Sequence, residues 1–198
     1  YTEGNAWQHS FFVPHAVEEM IALHGGNEPF AEKLDELFTT SSEITGDFAS
    51  SDISGLVGQY AHGNEPSHHI VYLYNYADHP EKAQAQVRNI MKTQYNDTPY
   101  GLCGNEDCGQ MSAWYVFSAM GIYPTNPANG QYDLGSPVLD AAAIEVGDGK
   151  FFEIIAHDNS DSMFLVEKVL LNGKQLDRTF IRHEEIMAGG KLEFFMKE

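Results

Sequence analysis

The chain has 198 residues, 42% of them hydrophobic and 12% aromatic, enough apolar material for one large domain or two small ones and too much for a disordered tail. A formal net charge of -18 excludes nucleic acid and anionic membrane surfaces, which would repel it, and leaves neutral ligands such as sugars, or cations. No apolar stretch approaches membrane-spanning length, and the N-terminus shows no initiator Met, basic n-region or h-region, so no signal peptide is expected in this chain.

The first residues, Tyr1-Thr-Glu-Gly-Asn-Ala-Trp-Gln8, begin without a lead-in element. Pro14 suits the first turn of a helix, and Gly25-Gly26 would stop it. Val17, Met20 and Ile21 share one stripe of that helix. A second helix is expected after Pro29, where Phe30, Leu34, Leu37 and Phe38 recur at helical spacing. Residues 39–59, rich in Ser, Thr, Asp and Gly, read as a long connection with a short helical turn. Pro66 marks the next helix start, with Ile70, Leu73, Tyr74 and Ala77 on its apolar face. Asp78-His79-Pro80 separates it from a helix running to about Tyr95. A last helix follows Gln110 and ends near Gly121, with Ala113, Val116, Phe117 and Met120 on one face.

Beyond Asn126-Pro-Ala-Asn-Gly130 the period changes to that of strands. These are expected at Ala142 to Val146, Phe151 to Ala156, Met163 to Leu171, Phe180 to Arg182 and Leu192 to Met196. Gly147-Asp-Gly149, Asn172-Gly173 and Gly189-Gly190 supply the turns, and Asn172-Gly173 is a strong hairpin signal. Arg182-His-Glu-Glu185 reads as a polar turn holding the sheet together. The chain is therefore α+β, with a helical region over 1–128 and an antiparallel β module over 129–198.

Unusual polar residues gather at three helix mouths: Glu3 to Gln8, His62 to His69, and Asn105 to Gln110. Helices packed as alternating hairpins would bring Glu3, Glu65 and Asp107 around one cavity, ringed by Tyr1, Trp7, Tyr60 and Trp114. Carboxylates beside aromatic platforms suit glycosidic cleavage, one acid protonating the leaving oxygen and another activating water. The Asp107 loop is bounded by Gly101, Gly104 and Gly109, residues that allow sharp turns and close backbone approach to a ligand. A carboxylate there lies near the positive end of a helix dipole and is biased to stay ionised. The bland alternative is a helix cap with solvated acids.

Cys103 and Cys108 could close a small disulfide hairpin or remain free thiols, and their spacing is not that of a redox Cys-X-X-Cys pair. Crowding of His62, His68 and His69 with Glu65 makes a zinc site conceivable. Adjacent histidines on a helix diverge by about 100°, so His69 is better read as structural.

The stretches Tyr1-Thr-Glu-Gly-Asn-Ala-Trp-Gln, His62-Gly-Asn-Glu-Pro-Ser-His-His and Gly101-Leu-Cys-Gly-Asn-Glu-Asp-Cys-Gly-Gln-Met-Ser-Ala-Trp resemble glycoside hydrolase family 92. Tyr132-Asp-Leu-Gly-Ser-Pro and Phe180-Ile-Arg-His-Glu-Glu-Ile-Met-Ala-Gly-Gly are similar to that family's C-terminal end, so the match covers nearly the whole chain. The resemblance implies a calcium-dependent, inverting exo-α-mannosidase, commonly α-1,2-specific and working outside the cytoplasm, at the cell surface, in the periplasm or secreted. It makes Glu3 the general acid and Asp107 the general base. Asn105 stands where some members carry a second Asp, and would orient the water. Trp7, His62, Asn64, Glu65 and Asn105 would line the sugar subsites, with Asn64 and Glu65 the candidate calcium ligands, their oxygens being chemically suitable.

The same resemblance implies that the chain is a fragment. It would hold the late helices of an (α/α)6 barrel followed by a small antiparallel β-sandwich-like module, without the N-terminal part of the enzyme. Its partners would then be mannose-containing glycans and that missing part, and uncovered helix faces would favour homo-oligomers. The alternative function is a non-catalytic carbohydrate-binding or structural fragment.

Overall fold

The structure, a computed structural model, describes residues 1–45 and 50–198. It is α+β, as expected, with helical elements through residue 119 and strands thereafter, apart from one short pair and one late helix. Helix α1 (Ala6–His9) is an element that apolar periodicity does not reveal. Asn5 makes it possible: its side chain accepts from the backbone of Trp7 and Gln8, while the Gln8 side chain accepts from Asn5 N at 2.7 Å. That reciprocal capping box satisfies two of the N–H groups that a helix start leaves open.

Helix α2 (Val17–Leu23) begins three residues after Pro14 and is followed by Gly25 and Gly26, both with positive φ. Helix α3 (Asn27–Thr39) takes Pro29 into its first turn, where no amide N–H is needed, and buries Phe30, Leu34 and Leu37 completely. Each such side chain contributes about 1.5–3 kcal/mol. Of the connection read over 39–59, residues 46–49 lie outside the described residues. The described remainder holds no helical turn but ends in a small antiparallel pair, β1 (Leu56–Val57) with β2 (Tyr60–Ala61).

The helix expected from Pro66 is instead a 3-10 turn at Glu65–Ser67 and a second 3-10 helix at Ile70–Ala77. Every residue of the latter except Tyr76 is buried. It ends at Asp78 in the left-handed conformation (φ 61), and helix α4 (Pro80–Thr93) packs back against it. Helix α5 (Gln110–Ala119) differs from its expected facing. Met111, Trp114 and Ser118 point inward, whereas Ala113 is exposed and Val116 is 54% exposed. The helix lies between two apolar cores, Trp114 in the first and Phe117 against both, so apolar residues on more than one face have partners.

The second core belongs to the strands. A five-stranded sheet has the order β5 (Ala141–Gly147), β6 (Lys150–His157), β10 (Gly190–Lys197), β7 (Leu165–Leu171), β8 (Lys174–Gln175). Its pairings are antiparallel except β10 with β6, which run parallel, an exception that hairpin signals cannot reveal because those strands are not consecutive. Asn172 and Gly173 sit at φ 51 and 78 between β7 and β8, the left-handed pair a two-residue hairpin needs. A three-stranded sheet joins β3 (Ile122–Tyr123), β4 (Gln131–Leu134) and β9 (Phe180–Arg182). The expected polar turn at 182–185 is the start of a short helix, α6 (His183–Met187), whose Glu185 accepts from Arg182 N and Arg178.

The two cores are stitched together by the 3-10 helix and α4. Asn75 donates to Leu134 O at 2.8 Å, Arg88 to Ser136 Oγ at 2.9 Å, and Tyr76 OH to Asp133 Oδ2 at 3.1 Å. Asp133 is 2% exposed, and burial pushes its carboxyl up to about 7. Below the ordinary carboxylate range it is protonated in both folded and unfolded chains. Above that range the fold must either hold its proton or carry a buried charge, so this stability is lost as pH rises through 7. Asp133→Asn, which keeps an acceptor for Tyr76, is expected to grow more stable than wild type between about pH 4 and 7, by up to about 4 kcal/mol. Urea unfolding at pH 4.5 and 8 checks this; a stability gap independent of pH would contradict it.

Candidate functional site

Three stretches far apart in sequence meet at one face. The N-terminal stretch is anchored by Gln59: Asn5 Nδ2 donates to its side-chain oxygen at 3.0 Å, and Gln8 Nε2 to its carbonyl at 2.5 Å. Asn64 Nδ2 donates to the carbonyl oxygen of Glu3 at 2.8 Å, which brings Glu3 to the mouth of the Glu65–Ser67 turn. Asn64 Oδ1 meanwhile accepts from Glu65 N at 3.1 Å and caps that turn.

The loop from 101 to 109 closes on the same place. Residues 63 and 104 are both glycine, and a Cβ on Gly104 would lie 2.3 Å from Gly63 O. The close approach that glycine permits is therefore made to another backbone. Asp107, Cys108 and Gly109 follow one another in the left-handed region at φ 47, 57 and 91. Glu3, the other acid singled out from sequence, has φ 58. Left-handed backbone costs an ordinary residue roughly 1–2 kcal/mol, and such residues persist only where their surroundings over-determine them. Glu3 therefore sits where local folding preference has been overridden, while Asp107 lies on backbone that Asp adopts more readily than most residues.

Glu65 stands beside Asp107 and Glu3, and burial together with these two acids raises its carboxyl above the ordinary range. Glu65 is half-buried, while Glu3, Asp107 and Asn105 are exposed. Glu106, the neighbour of Asp107, is committed to the helix: its carboxylate accepts from Ser112 N at 3.0 Å and Ser112 Oγ at 2.8 Å. The capping part of the bland reading thus belongs to Glu106, while Asp107 is solvent-exposed.

The residues expected to ring the acids divide. Tyr1 is 86% exposed and stacks on His9 at 5.3 Å. Trp7 is half-buried under the Lys33 ammonium, 4.4 Å from its ring centroid. Tyr60 and Trp114 are completely buried, so neither can serve as a sugar platform. His62, expected to line a subsite, is also 0% exposed. Its Nδ1 faces Tyr60 OH at 2.8 Å and its Nε2 faces Tyr95 OH at 2.6 Å. This correction has a physical cause: the Tyr60–Ala61 strand turns His62 inward, where burial depresses its basicity well below the ordinary histidine range. His62 supports the site from beneath.

His68 and His69 are likewise buried, and burial lowers both to about 4. His68 Nε2 contacts His62 O at 2.9 Å and His69 Nε2 contacts Phe11 O at 2.8 Å. With both His62 nitrogens occupied, the zinc alternative fails on geometry, and among the described residues no three His, Cys, Asp or Glu side chains are grouped to hold a metal. Cys103 and Cys108 are free thiols, the former pushed up to about 11 by burial. For a hard cation the available oxygens are the carboxylates of Glu65, Asp107 and Glu3. Asn64 is the poorer donor, because its amide oxygen caps the turn.

The acids stand on an open face. A cleft of about 450 Å³ lies at the other end of the 3-10 helix, walled by Glu18, Tyr76, Gln131 and Asp133. Sequence reading missed Gln59 and Tyr95, which hold the stretches in place. Neither belongs to a polar cluster, and only the folded chain shows what they touch.

The family model described as the glycosyl hydrolase family 92 catalytic domain matches residues 1–198. A protein of Arthroderma benhamiae described as an uncharacterized secreted glycosidase is 32% identical over 194 residues, which cover 96% of this chain and 23% of that protein. Two solved structures from Bacteroides thetaiotaomicron are similar. One, a family GH92 alpha-mannosidase in complex with mannoimidazole, is 41% identical with a TM-score of 0.90 over 98% of this chain and 25% of that one. The other, a family GH92 inverting mannosidase, is 38% identical with a TM-score of 0.85, covering 100% of this chain and 28% of that one. The chain thus spans about a quarter of the length of these relatives.

Gly104→Ala tests the glycine contact. The new methyl group must force the two backbones apart, at a cost of about 1–3 kcal/mol, and is expected to lower the thermal midpoint by several degrees. An unchanged midpoint would mean that the loop and the His62–Glu65 stretch are not in contact.

Proposed function

The chain belongs to glycosyl hydrolase family 92, and from that premise we propose that the protein it is part of removes terminal α-linked mannose from mannosides or N-glycans. The observation that carries the reading is the convergence of Glu3, Glu65 and Asp107 from three separated stretches, two of them on left-handed backbone. Paired acids on either side of a scissile bond are what glycosidic cleavage requires.

In the proposed reaction Glu3 is the general acid. It protonates the glycosidic oxygen, so the leaving sugar departs as a neutral alcohol while positive charge develops at the anomeric carbon. Asp107 is the general base. Its carboxylate takes a proton from a water on the opposite face, and attack of that water in a single displacement inverts the anomeric centre. Asn105, exposed on the same loop, orients that water by hydrogen bonding. Trp7, Asn64 and Glu65 contribute to the sugar subsites, with His62 beneath them.

A calcium ion suits carboxylate oxygens such as those of Glu65, whose carboxyl is raised by burial and by the neighbouring Asp107 and Glu3. Glu65 would hold it, with Asn64 as a second contributor, and the ion would supply charge to grip and polarise sugar hydroxyls. The α-1,2 linkage is the preferred substrate in this proposal, and export from the cytoplasm is supported by the relative described as secreted.

In the whole protein we place the helical region within an (α/α)6 barrel and the strands in a C-terminal module, divided near residue 128. The open placement of the acids supports a second element of the proposal. The isolated chain does not turn over mannosides, because none of its described residues encloses the acids against water, and other parts of the protein complete the site.

The test is hydrolysis of α-1,2-mannobiose by the intact protein, with the released anomer followed by NMR before and after calcium chelation. Calcium-dependent release of β-mannose is expected. Asp107→Asn and Glu3→Gln are each expected to lower kcat about 10²–10⁴-fold. Release of α-mannose would refute inversion, and undiminished turnover after chelation would refute the role of calcium.

A further inference from the structure

We propose that Gln110 is a positioning residue for the reacting acids: its side-chain amide clamps the start of α5 onto the His68 ring and thereby fixes Asp107 beside Glu65. This rests on the mannosidase reading for its functional consequence, although the clamp itself is a matter of geometry.

The Asp107 loop needs such a restraint. Asp107 and Cys108 occupy left-handed backbone in succession immediately before the helix, a conformation that Asp tolerates and Cys rarely adopts. Left to local preference, that segment would relax to a conformation of lower energy and swing the carboxylate away. The backbone bonds next to Asp107 are local. Gln110 N reaches Asp107 O at 3.2 Å, Met111 N reaches Glu106 O at 3.3 Å, and the Glu106 carboxylate takes Ser112. All these bonds stay within the loop and the first turn of α5.

Gln110 crosses out of that unit. Its Nε2 lies 3.0 Å from His68 Nδ1 and 3.3 Å from Tyr123 OH. An amide –NH2 carries two N–H donors and both contacts can be acceptors, so a single side chain can satisfy both. His68 is the residue through which the restraint acts. Its ring is 1% exposed, its Nε2 is turned to His62 O at 2.9 Å, and its carbonyl accepts from Trp114 Nε1 at 3.0 Å. The Nε2 proton therefore goes to that carbonyl, leaving Nδ1 as an acceptor for Gln110.

The ring belongs to the residue that ends the Glu65–Ser67 turn. Glu65 and Asp107 are thus linked through two rigid steps: three residues from Glu65 to His68 on one side, and three from Gln110 back to Asp107 on the other. Trp114, one turn further along α5, holds the same residue by its backbone. Without Gln110 the helix stays attached through Trp114 and through Tyr95 OH, which donates to Met111 O at 3.1 Å, and Gly104 still packs on Gly63, but the tie from the residue that opens α5 to the His68 ring is lost. The expected fault is therefore local, in the separation of the two acids.

Gln110→Met and Gln110→Glu in the intact protein test this. Met keeps the volume without the donors. Glu keeps the shape but presents an acceptor to the His68 acceptor nitrogen. On α-mannosides both are expected to lower kcat at least 10-fold with KM changed less than about threefold, while the thermal midpoint stays within a few degrees of wild type. A fall in midpoint with kcat per folded molecule unchanged would show a structural role only, and would overturn the proposal. If the wild-type protein cleaves no mannoside, the function reading fails separately. The crystal structure of Gln110→Met then decides the clamp: displacement of Asp107 from Glu65 supports it, and an unmoved Asp107 overturns it.

Discussion

The structure depends on the enclosure of one 3-10 helix, Ile70–Ala77, whose residues are buried on every side but that of Tyr76. An element so enclosed must satisfy its polar side chains internally, because water cannot do it. Those bonds fasten three different neighbours. Tyr72 OH pairs with Ser118 Oγ on α5 at 2.8 Å, Tyr74 OH donates to Asp35 on α3 at 2.8 Å, and Asn75 and Tyr76 reach β4. The aromatic bodies of these residues fill the first core while their polar tips select partners, so apolar burial supplies the energy and hydrogen bonds set the register. The sharing of strands and helices between two cores follows from that placement.

The acid site is built on the N-terminal side of this helix, and its energetics run the other way. Glu65 feels two further carboxylates, Asp107 and Glu3, in a chain of net charge -18, and those two lie on left-handed backbone. Neither feature stabilises the fold. Beneath them lies a layer of rings, the buried His62, His68 and Trp114 and the half-buried Tyr95, with Tyr95 and Trp114 stacked at 3°. The hydrogen bonds of that layer are nearly all made within it or to adjacent backbone. A stiff base of this kind can offset the strain above it, which is the division expected where a rigid scaffold presents a reactive surface.

Much of the frame was legible in sequence because it rests on local periodicity. Phe30, Leu34, Leu37 and Phe38 announce α3, and Ala83, Val87 and Ile90 announce α4. Asn172-Gly173 marks its hairpin because few residues accept φ 51 and 78 in succession. What failed had a common origin. Val116 looks like a core position by spacing yet is 54% exposed, since spacing gives the faces of a helix but not which face meets a neighbour. The helix after Pro66 was read as α because its tighter winding leaves no mark on the apolar pattern. His62 stood as a subsite residue through the family resemblance, which says nothing of burial, and the inward turn of a two-residue strand is invisible in composition.

The sequence by itself determined the α+β order, the long motifs that mark the family, and the three polar clusters that carry its acids. These are properties of residue type and short-range spacing, which the chain states directly. Only the tertiary structure decided which members of each cluster face outward. It separated Asp107 from Glu106, placed Tyr60, His62 and Trp114 in the interior, and set β10 parallel to β6. Those outcomes depend on contacts between segments tens of residues apart, where the burial of one side chain is fixed by the backbone of another.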